Sequence, residues 1–242
     1  MCLTRLGETL VLILARLGEP IALQSRCTTT LMSLIPKSAM PASTSDYYES
    51  HARQFFDDTI AVDMSPLYER FLRRLPKQGC ILDAGCGSGR DALAFRKRGY
   101  KVTAFDASPT LADLAAAYCR LRVEVMRFED LEWHCRFDGI WACASLLHVG
   151  PAELPDVLFR MAGALKPQGV IYASFKYGQG ERDYNGRRFT DLDEAGLTAL
   201  LQVVRSLEAL ETWITTDLRP DRETEYWLNT LLVRTESKCP IT

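Results

Sequence analysis

The sequence has almost no net charge and no long run of basic residues. Its 242 residues include 29 Lys and Arg against 31 Asp and Glu, and basic residues cluster only in short pairs such as Arg73-Arg74. Proteins that bind nucleic acids usually present a basic face. The near balance therefore gives no strong nucleic-acid signal and favours a small-molecule partner.

The sequence also lacks an apolar run long enough to cross a membrane. The N-terminal apolar run Leu10 to Leu14 has charged residues on both sides, and a spanning helix needs about 20 apolar residues. Arg16 follows where a secretory signal would carry small residues. We therefore predict no membrane segment and a cytoplasmic protein. We expect residues 1–45 to be a disordered or mis-assigned extension, with translation beginning at Met32 or Met40.

No cysteine spacing indicates a metal site. The eight cysteines form no C-x-x-C pair and no Cys/His cluster with zinc spacing. Several lie in apolar patterns, where a free thiol behaves as a small hydrophobic side chain. The sequence therefore predicts no bound metal and a reducing compartment.

The most informative segment is Gly79 to Gly89, which reads GCILDAGCGSG. An apolar run ends in Asp83, glycines follow at alternate positions, and a stretch that can be helical comes next. Glycine serves where the backbone adopts positive φ or lies against a ligand. A helix N-terminus adds free N–H groups and a partial positive charge. The segment predicts a buried strand, a tight turn and a helix beside a ligand.

A second acidic residue follows the next apolar stretch. Residues 101–105 predict a strand, and Asp106 comes directly after it. An acid at this point of a βαβ unit accepts hydrogen bonds from ribose hydroxyls, and its alternative role is to cap the next helix. A dinucleotide fingerprint places its third glycine one position later, where this chain has Arg90.

Strands and helices are predicted to alternate from about residue 80 onward. Such alternation is typical of a doubly wound, mostly parallel Rossmann-like α/β sheet with helices on both faces. Arg219 to Asp221 indicates a turn, so the last two strands should form a C-terminal antiparallel hairpin. The polar stretch 176–189 is predicted to be a long loop near the substrate. The predicted strands are 80–84, 101–105, 123–128, 137–143, 170–175, 207–216 and 225–234; the predicted helices are 46–56, 65–75, 89–98, 108–120, 151–165 and 190–205.

These motifs resemble those of the class I S-adenosylmethionine-dependent methyltransferases. Asp83 to Gly89 is similar to the family's first motif, Asp106 to its ribose acid, and residues 165–169 to the turn before its fifth strand. The resemblance covers residues 46–235, which we take as the domain, with 236–242 as a tail. It is closest to the small bacterial group related to tellurite-resistance protein B. It implies an enzyme that uses S-adenosyl-L-methionine to methylate O, N, S or a metalloid of a small-molecule acceptor.

The resemblance implies a set of residues that bind the methyl donor. Asp83 would hold the methionine ammonium, the glycine turn would lie against the methionyl chain, and Asp106 would hold the ribose. The alternative role for Asp83 is to cap the glycine turn. Arg127 stands where the family often has an aspartate for adenine, so Phe128 and Glu129 are the candidates there. The full donor set is Asp83, Ala84, Gly85, Cys86, Gly87, Asp106, Ala107, Phe128, Glu129, Ala142 and Cys143.

The acceptor side shows weaker signals. His148 follows the fourth strand and is either a general base or a histidine packed at the start of a helix. Tyr47, Tyr48 and His51 either cover the donor site or pack against the sheet. Lys176, Tyr177 and Arg187 lie on the long loop and either bind an anionic acceptor or are solvated.

Two other functions remain open at this stage. One is a nicotinamide-dependent Rossmann oxidoreductase, and the other is a non-catalytic protein that binds the donor. Specialised methylation of adenine or glutamine amino groups uses Asn/Asp-Pro-Pro-Tyr/Phe after the fourth strand, where this chain has Ala142-Cys143-Ala144-Ser145. Cytosine C5 methylation uses Pro-Cys, and Ala142 replaces that proline. Cys143 is therefore expected to be a small buried residue.

Overall fold

The computed structural model describes residues 44–219 and 222–235. The proposed start at Met32 or Met40, the extension up to residue 43 and the tail 236–242 lie outside the described residues. Thr44 and Ser45, which we had assigned to the extension, are the first residues of a helix.

A seven-stranded sheet forms the centre of the fold, in the order β3-β2-β1-β4-β5-β9-β8. The first five of these strands run parallel, whereas β9 pairs antiparallel with both β5 and β8. The predicted fold class and C-terminal hairpin are confirmed. The strands are β1 Cys80–Ala84, β2 Lys101–Asp106, β3 Val123–Val125, β4 Phe137–Ala142, β5 Leu165–Lys176, β8 Leu207–Thr216 and β9 Tyr226–Arg234, with β6 Gly180–Tyr184 and β7 Arg187–Asp191 in a separate hairpin.

The helices cover the sheet because their apolar residues recur on one side. Ser65 and Pro66 begin α3 as predicted, with proline in the first turn. Ser108 caps α5 by accepting a hydrogen bond from the Leu111 N–H. The helices are α1 Thr44–Ser50, α2 Ala52–Thr59, α3 Ser65–Leu72, α4 Arg90–Lys97, α5 Pro109–Cys119, α6 Leu154–Ala164 and α7 Glu194–Val203.

The central strands are buried on both faces, as expected for a parallel sheet between helices. Ile81 and Leu82 of β1 are completely buried, as are Ile140 and Trp141 of β4. Each strand therefore contributes side chains to two cores, one on each side of the sheet. This packing fixes the ends of β1, β2 and β4 at one edge, where the candidate site lies.

Two local predictions were wrong. Strand β3 stops at Val125, because Phe128–Asp130 forms a 3-10 turn that Asp130 closes by accepting a hydrogen bond from the Arg127 N–H. Much of the stretch predicted as a loop forms the β6-β7 hairpin.

The predicted start of the last helix was also wrong. Thr190 lies in β7 and donates its hydroxyl hydrogen to the Val149 carbonyl, 2.7 Å away. Asp193 is the cap of α7 instead, since its side chain accepts a hydrogen bond from the Gly196 N–H.

The described cysteines include both free and disulfide-bonded residues. Among the described cysteines, four have free thiols, Cys80, Cys86, Cys119 and Cys143, whereas Cys135 takes part in a disulfide. The reducing compartment thus stays a prediction.

Across residues 44–219 and 222–235, no helix combines the length and the apolar character that crossing a bilayer requires.

Candidate active site

Asp83 ends β1 with a carboxylate that is buried and only partly satisfied. Its side chain is 2% exposed, and its Oδ2 atom has no hydrogen-bond partner among the described residues. Burial raises the pKa of Asp83 well above its usual range, and the charge of Asp91 raises it further. An unpartnered buried oxygen is costly unless a ligand supplies the missing donor.

The neighbouring acid, Asp91, is fully paired. Arg90 Nε donates to Asp91 Oδ1 at 2.6 Å, Tyr68 OH donates to the same oxygen at 2.5 Å, and Trp141 Nε1 donates to Oδ2 at 2.7 Å. Burial opposes ionisation of Asp91, but the charge and hydrogen bonds of Arg90 outweigh it and lower the pKa of that carboxyl. Arg90, which replaces the dinucleotide-motif glycine, therefore neutralises a buried carboxylate.

The turn after β1 requires glycine at two positions. Gly85 and Gly87 have φ of +72° and +54°. A Cβ at Gly85 would lie 2.6 Å from Ser145 Cβ, and one at Gly87 would lie 2.9 Å from Phe55 Cε1. Between these neighbours, the bare main chain can contact a ligand without an intervening side chain.

Asp106 fastens the loops after β1 and β2 to each other. Its Oδ2 accepts from the Gly87 N–H and its Oδ1 from the Ser108 N–H, both at 2.9 Å. Burial raises the pKa of Asp106 despite these hydrogen bonds. Since Ser108 itself caps α5, Asp106 is not the N-cap. Each carboxylate oxygen has a second lone pair, so Asp106 keeps the capacity to accept from ribose hydroxyls.

The remaining donor candidates lie around the same strand ends. The N–H groups of Gly85 and Cys86 donate to the Phe105 carbonyl at 3.0 and 2.9 Å, and Cys86 is buried. The Phe128 ring packs edge-on against Phe105, with centroids 5.3 Å apart. Ala84 is the last residue of β1, Ala107 lies in the loop after β2, and Glu129 lies in the 3-10 turn after β3.

The end of β4 is tied to β1 by a residue that our sequence reading missed. Ser145 Oγ donates to the Ala84 carbonyl at 2.7 Å. Ala142 is fully buried, and burial raises the pKa of Cys143 to about 12. Cys143 is therefore a neutral thiol at neutral pH rather than a thiolate nucleophile.

His148 is held between a tyrosine and a main-chain carbonyl. Its Nδ1 lies 2.7 Å from the Arg188 carbonyl oxygen, which can only accept, so Nδ1 carries the hydrogen. Its Nε2 therefore accepts from the Tyr48 hydroxyl, 2.8 Å away. Burial lowers the pKa of His148 to about 4, and the charge of Arg187 also lowers it. The imidazole is neutral at physiological pH, with its basic nitrogen facing Tyr48.

Helix α1 bridges the two sides of the site. Glu49 accepts from Ser108 Oγ at 2.5 Å and from the Thr110 N–H at 3.1 Å, beside β2. Thr44 Oγ1 accepts from the Arg188 N–H at 2.9 Å, at the β6-β7 hairpin. Glu49 was not predicted, because its partners lie about sixty residues away and no local pattern marks such a contact.

The other residues assigned to the acceptor side separate into two groups. Lys176 is paired with Asp217 at 3.3 Å and with Glu225, and its ammonium lies 3.9 Å from the centre of the Trp227 ring. Exposed Tyr177 donates to Glu194.

The second group lies against α1. Arg187 places its guanidinium 4.5 Å from the centre of the Tyr47 ring. Exposed His51 stacks on that same tyrosine, with ring centres 4.3 Å apart. Arg187 of the hairpin therefore lies next to Tyr48 and His148, whereas Lys176 at the end of β5 is paired elsewhere.

The described residues fit a ligand with an ammonium group, a slender chain and a ribose. Asp83 offers the oxygen that has no partner among the described residues to the ammonium. The turn at Gly85 and Gly87 offers main chain without side chains to the slender chain, and Asp106 offers acceptors for the sugar. All four residues lie at the carboxyl ends of β1 and β2 or directly after β1, at the same edge of the sheet.

Comparisons with known proteins find methyltransferases. Residues 81–169 match the model of a family described as "Methyltransferase domain". An uncharacterized methyltransferase from Staphylococcus carnosus is 26% identical over 174 residues, which are 68% of this chain and 84% of that protein. A ubiquinone biosynthesis O-methyltransferase from Rickettsia bellii is 29% identical over 99 residues, which are 39% of this chain and 40% of that protein.

A solved structure shows the same fold. The 1,6-didemethyltoxoflavin-N1-methyltransferase from Burkholderia thailandensis, crystallised with 1,6-didemethyltoxoflavin and S-adenosylhomocysteine, superposes with a TM-score of 0.64. The two chains are 24% identical, and the match covers 78% of this chain and 85% of that one.

Proposed function

Because this chain is a class I S-adenosylmethionine-dependent methyltransferase, we propose that it methylates a small-molecule acceptor. The observation that carries the proposal is the unpartnered, buried Asp83 oxygen beside a glycine turn and Asp106. S-adenosylmethionine supplies an activated methyl group on a positively charged sulfur. The chain must therefore bind and align two molecules and exclude water, rather than activate the methyl group.

Each residue at the donor end has a role that follows from its position. Asp83 Oδ2 accepts from the methionine ammonium, which gives this oxygen the hydrogen-bond donor that it lacks among the described residues. Asp106 accepts from the ribose hydroxyls while its bonds to Gly87 and Ser108 keep the loops in place. Phe128 packs on the adenine, and Glu129 accepts from its amino group.

The acceptor lies between the end of β4 and the β6-β7 hairpin. His148 presents an unprotonated Nε2 there, and Tyr48 presents a hydroxyl. His148 accepts a hydrogen bond or a proton from the acceptor once Tyr48 releases the ring nitrogen. The named relatives that act on ubiquinone precursors and on 1,6-didemethyltoxoflavin support an acceptor of small-molecule size.

The proposal is tested by calorimetry with S-adenosylhomocysteine. We expect clear binding to the wild type and affinity weakened on the order of tenfold or more by Asp106→Ala, since about two charge-assisted hydrogen bonds are lost. Asp113→Ala is the matched control, because Asp113 is exposed on α5. Thermal melting of both variants separates lost binding from lost folding. Unchanged affinity in Asp106→Ala would place the ribose elsewhere.

The same titration distinguishes the methyltransferase from a nicotinamide-dependent oxidoreductase. NADH in place of S-adenosylhomocysteine should give no heat, because Arg90 fills the position of the dinucleotide-motif glycine. Four expectations from the sequence stay predictions: the domain range 46–235, the relation to tellurite-resistance protein B, the absence of nucleic-acid partners and the cytoplasmic location.

A further inference from the structure

A second buried polar atom without a partner lies on the acceptor side. Arg187 Nε is buried and makes no hydrogen bond within the described residues. The other two arginines of the hairpin are paired with carboxylates: Arg182 with Asp191 at 2.5 Å and Arg188 with Glu181 at 2.9 Å. No described carboxylate forms an ion pair with Arg187. Its guanidinium hydrogen-bonds the neutral Tyr48 side chain, so its charge is not neutralised there and can attract an anionic ligand.

Aromatic rings surround this guanidinium. Its central carbon lies 4.5 Å from the centre of the Tyr47 ring and 5.2 Å from that of Phe189. The Phe189 ring packs edge-on against His148, and His148 against Tyr48, at centroid distances of 5.0 and 5.3 Å. We call these five residues, Tyr47, Tyr48, Arg187, His148 and Phe189, the arginine pocket. Flat aromatic walls favour a planar ring as ligand.

The pocket adjoins the donor site through α1. Tyr48 is followed directly by Glu49, which binds the Ser108 hydroxyl, and the Ser108 N–H binds Asp106. A molecule in the arginine pocket therefore lies beside a molecule whose ribose is held by Asp106. This adjacency is what methyl transfer between two bound molecules requires.

From this geometry, and resting on the methyltransferase function proposed above, we infer that the acceptor is a planar aromatic molecule that reacts through an acidic phenolic or enolic oxygen. Arg187 holds that oxygen as an oxyanion, while the Tyr48 hydroxyl keeps its hydrogen bond to His148 Nε2. The oxyanion forms the new bond to the methyl carbon while the carbon–sulfur bond breaks and its electron pair goes to sulfur. The acceptor's proton has already gone to solvent, so His148 removes no proton and keeps accepting the hydrogen bond from Tyr48.

This inference agrees with the charge state of His148. A base whose pKa is about 4 removes a proton poorly from an aliphatic alcohol or a protonated amine. It is adequate for an acceptor that ionises near neutral pH by itself. The charged groups around the arginine pocket include Arg187 and Asp106, whose charges act on Tyr48, and Arg219, on which Tyr48 acts in turn. Arg182 on β6 lies 4.6 Å from the centre of the Phe189 ring, and Tyr48 and His148 are neutral.

The test uses 4-nitrophenol, whose phenolate has its own visible absorbance, on the full chain saturated with S-adenosylhomocysteine. We expect the phenolate to bind, and the bound probe to ionise about one pH unit lower than the free probe, a tenfold preference for the anion. Nitrobenzene, which has the same ring without the acidic oxygen, should bind at least tenfold more weakly.

Variants at Arg187 and Arg188 test the contribution of the Arg187 guanidinium to phenolate binding. Arg187→Gln should abolish the ionisation shift and weaken phenolate binding at least tenfold, and Arg187→Lys should restore part of both. Arg188→Gln removes the same charge from the next residue, whose side chain is paired with Glu181, and should keep the shift. All three should retain S-adenosylhomocysteine binding, which shows that they fold.

The outcomes separate the two proposals. Failure of the wild type to bind S-adenosylhomocysteine would remove the proposed function. With that binding intact, absence of 4-nitrophenolate binding, equal binding of nitrobenzene, or an unchanged shift in Arg187→Gln would overturn the inference about the acceptor.

Discussion

At the scale of single residues, we expect Asp83 to strengthen donor binding and to lower the stability of the fold. Its carboxyl is buried beside ionised Asp91, and within the described part of the chain one of its oxygens has no hydrogen-bond partner. We expect Asp83→Asn to lower affinity for S-adenosylhomocysteine about tenfold or more, because the ammonium loses its charge partner. The same change should leave the melting temperature unchanged or raise it, since it removes a poorly satisfied buried acid. Calorimetry and thermal melting of one preparation measure both effects. A lower melting temperature with unchanged affinity would contradict the assigned role.

The raised pKa of Asp83 also predicts a pH dependence of donor binding. In the free protein the proton is retained above the usual range of an aspartic acid. An ammonium binds the carboxylate and displaces that proton, so affinity should rise as pH increases from about 4 towards neutrality. Asp106, whose pKa is raised as well, contributes in the same direction. Calorimetry in buffers of different ionisation enthalpy should show proton release, and less of it for Asp83→Asn. Proton uptake on binding would contradict the prediction.

His148 predicts a pH dependence of stability. Its pKa of about 4 in the folded chain lies below the ordinary value of 6.5. The unfolded chain therefore takes up the proton first, and the stability contributed by the neutral ring is lost as pH falls from about 6.5 through 4. We expect His148→Gln to lose less stability than the wild type between pH 7 and pH 4.5, measured by urea unfolding. An equal loss would show that His148 does not carry this linkage.

Residue-level prediction from sequence worked where the signal was local. Asp83, Gly85, Gly87 and Asp106 lie within one motif and the next strand, and the structure brings them together at one edge of the sheet. The role of Ser145 depends on its contact with Ala84, 61 positions away in the sequence. Lys176 is held away from Arg187 by its ion pairs with Asp217 and Glu225. Such partners are set by the assembled fold, and no spacing in the sequence indicates them.

At the scale of elements, α1 depends on the rest of the fold. It has seven residues, which is too short for a stable isolated helix. Its attachment at Glu49 lies beside the ribose acid, so we expect Glu49→Gln to increase amide hydrogen exchange in residues 44–50. S-adenosylhomocysteine should slow that exchange in the wild type by covering the helix on its inner side.

Glu69→Gln is the control for the change at α1. Glu69 is exposed on α3, and the substitution alters the net charge equally. Exchange in residues 44–50 that is the same in both variants would show that Glu49 does not hold the helix.

The β6-β7 hairpin shows why element prediction failed after β5. All five residues of β6 are exposed, so the strand has no alternation of apolar and polar residues to detect. The hairpin is held by main-chain pairing and by ion pairs of arginines with nearby acids. By contrast, β1, β4 and β5 were found because buried parallel strands read as apolar runs.

At the scale of the whole molecule, the sheet was predictable from the alternation of strands and helices. Right-handed crossovers leave few ways to arrange such units, and each places the strand ends at one edge. How the edge is covered was not predictable, because α1 and the hairpin meet there from positions some 140 residues apart. These two elements carry Tyr48 and Arg187, which the acceptor proposal needs.

The most direct measurement of the central claim is a crystal structure of the full chain with S-adenosylhomocysteine. The account predicts the methionine ammonium at hydrogen-bond distance, about 2.7–3.2 Å, from Asp83 Oδ2, and both ribose hydroxyls on Asp106. It further predicts that the sulfur faces the arginine pocket. A ligand whose sugar lies away from Asp106, or an Asp83 Oδ2 that meets a protein side chain instead of the ammonium, would contradict it.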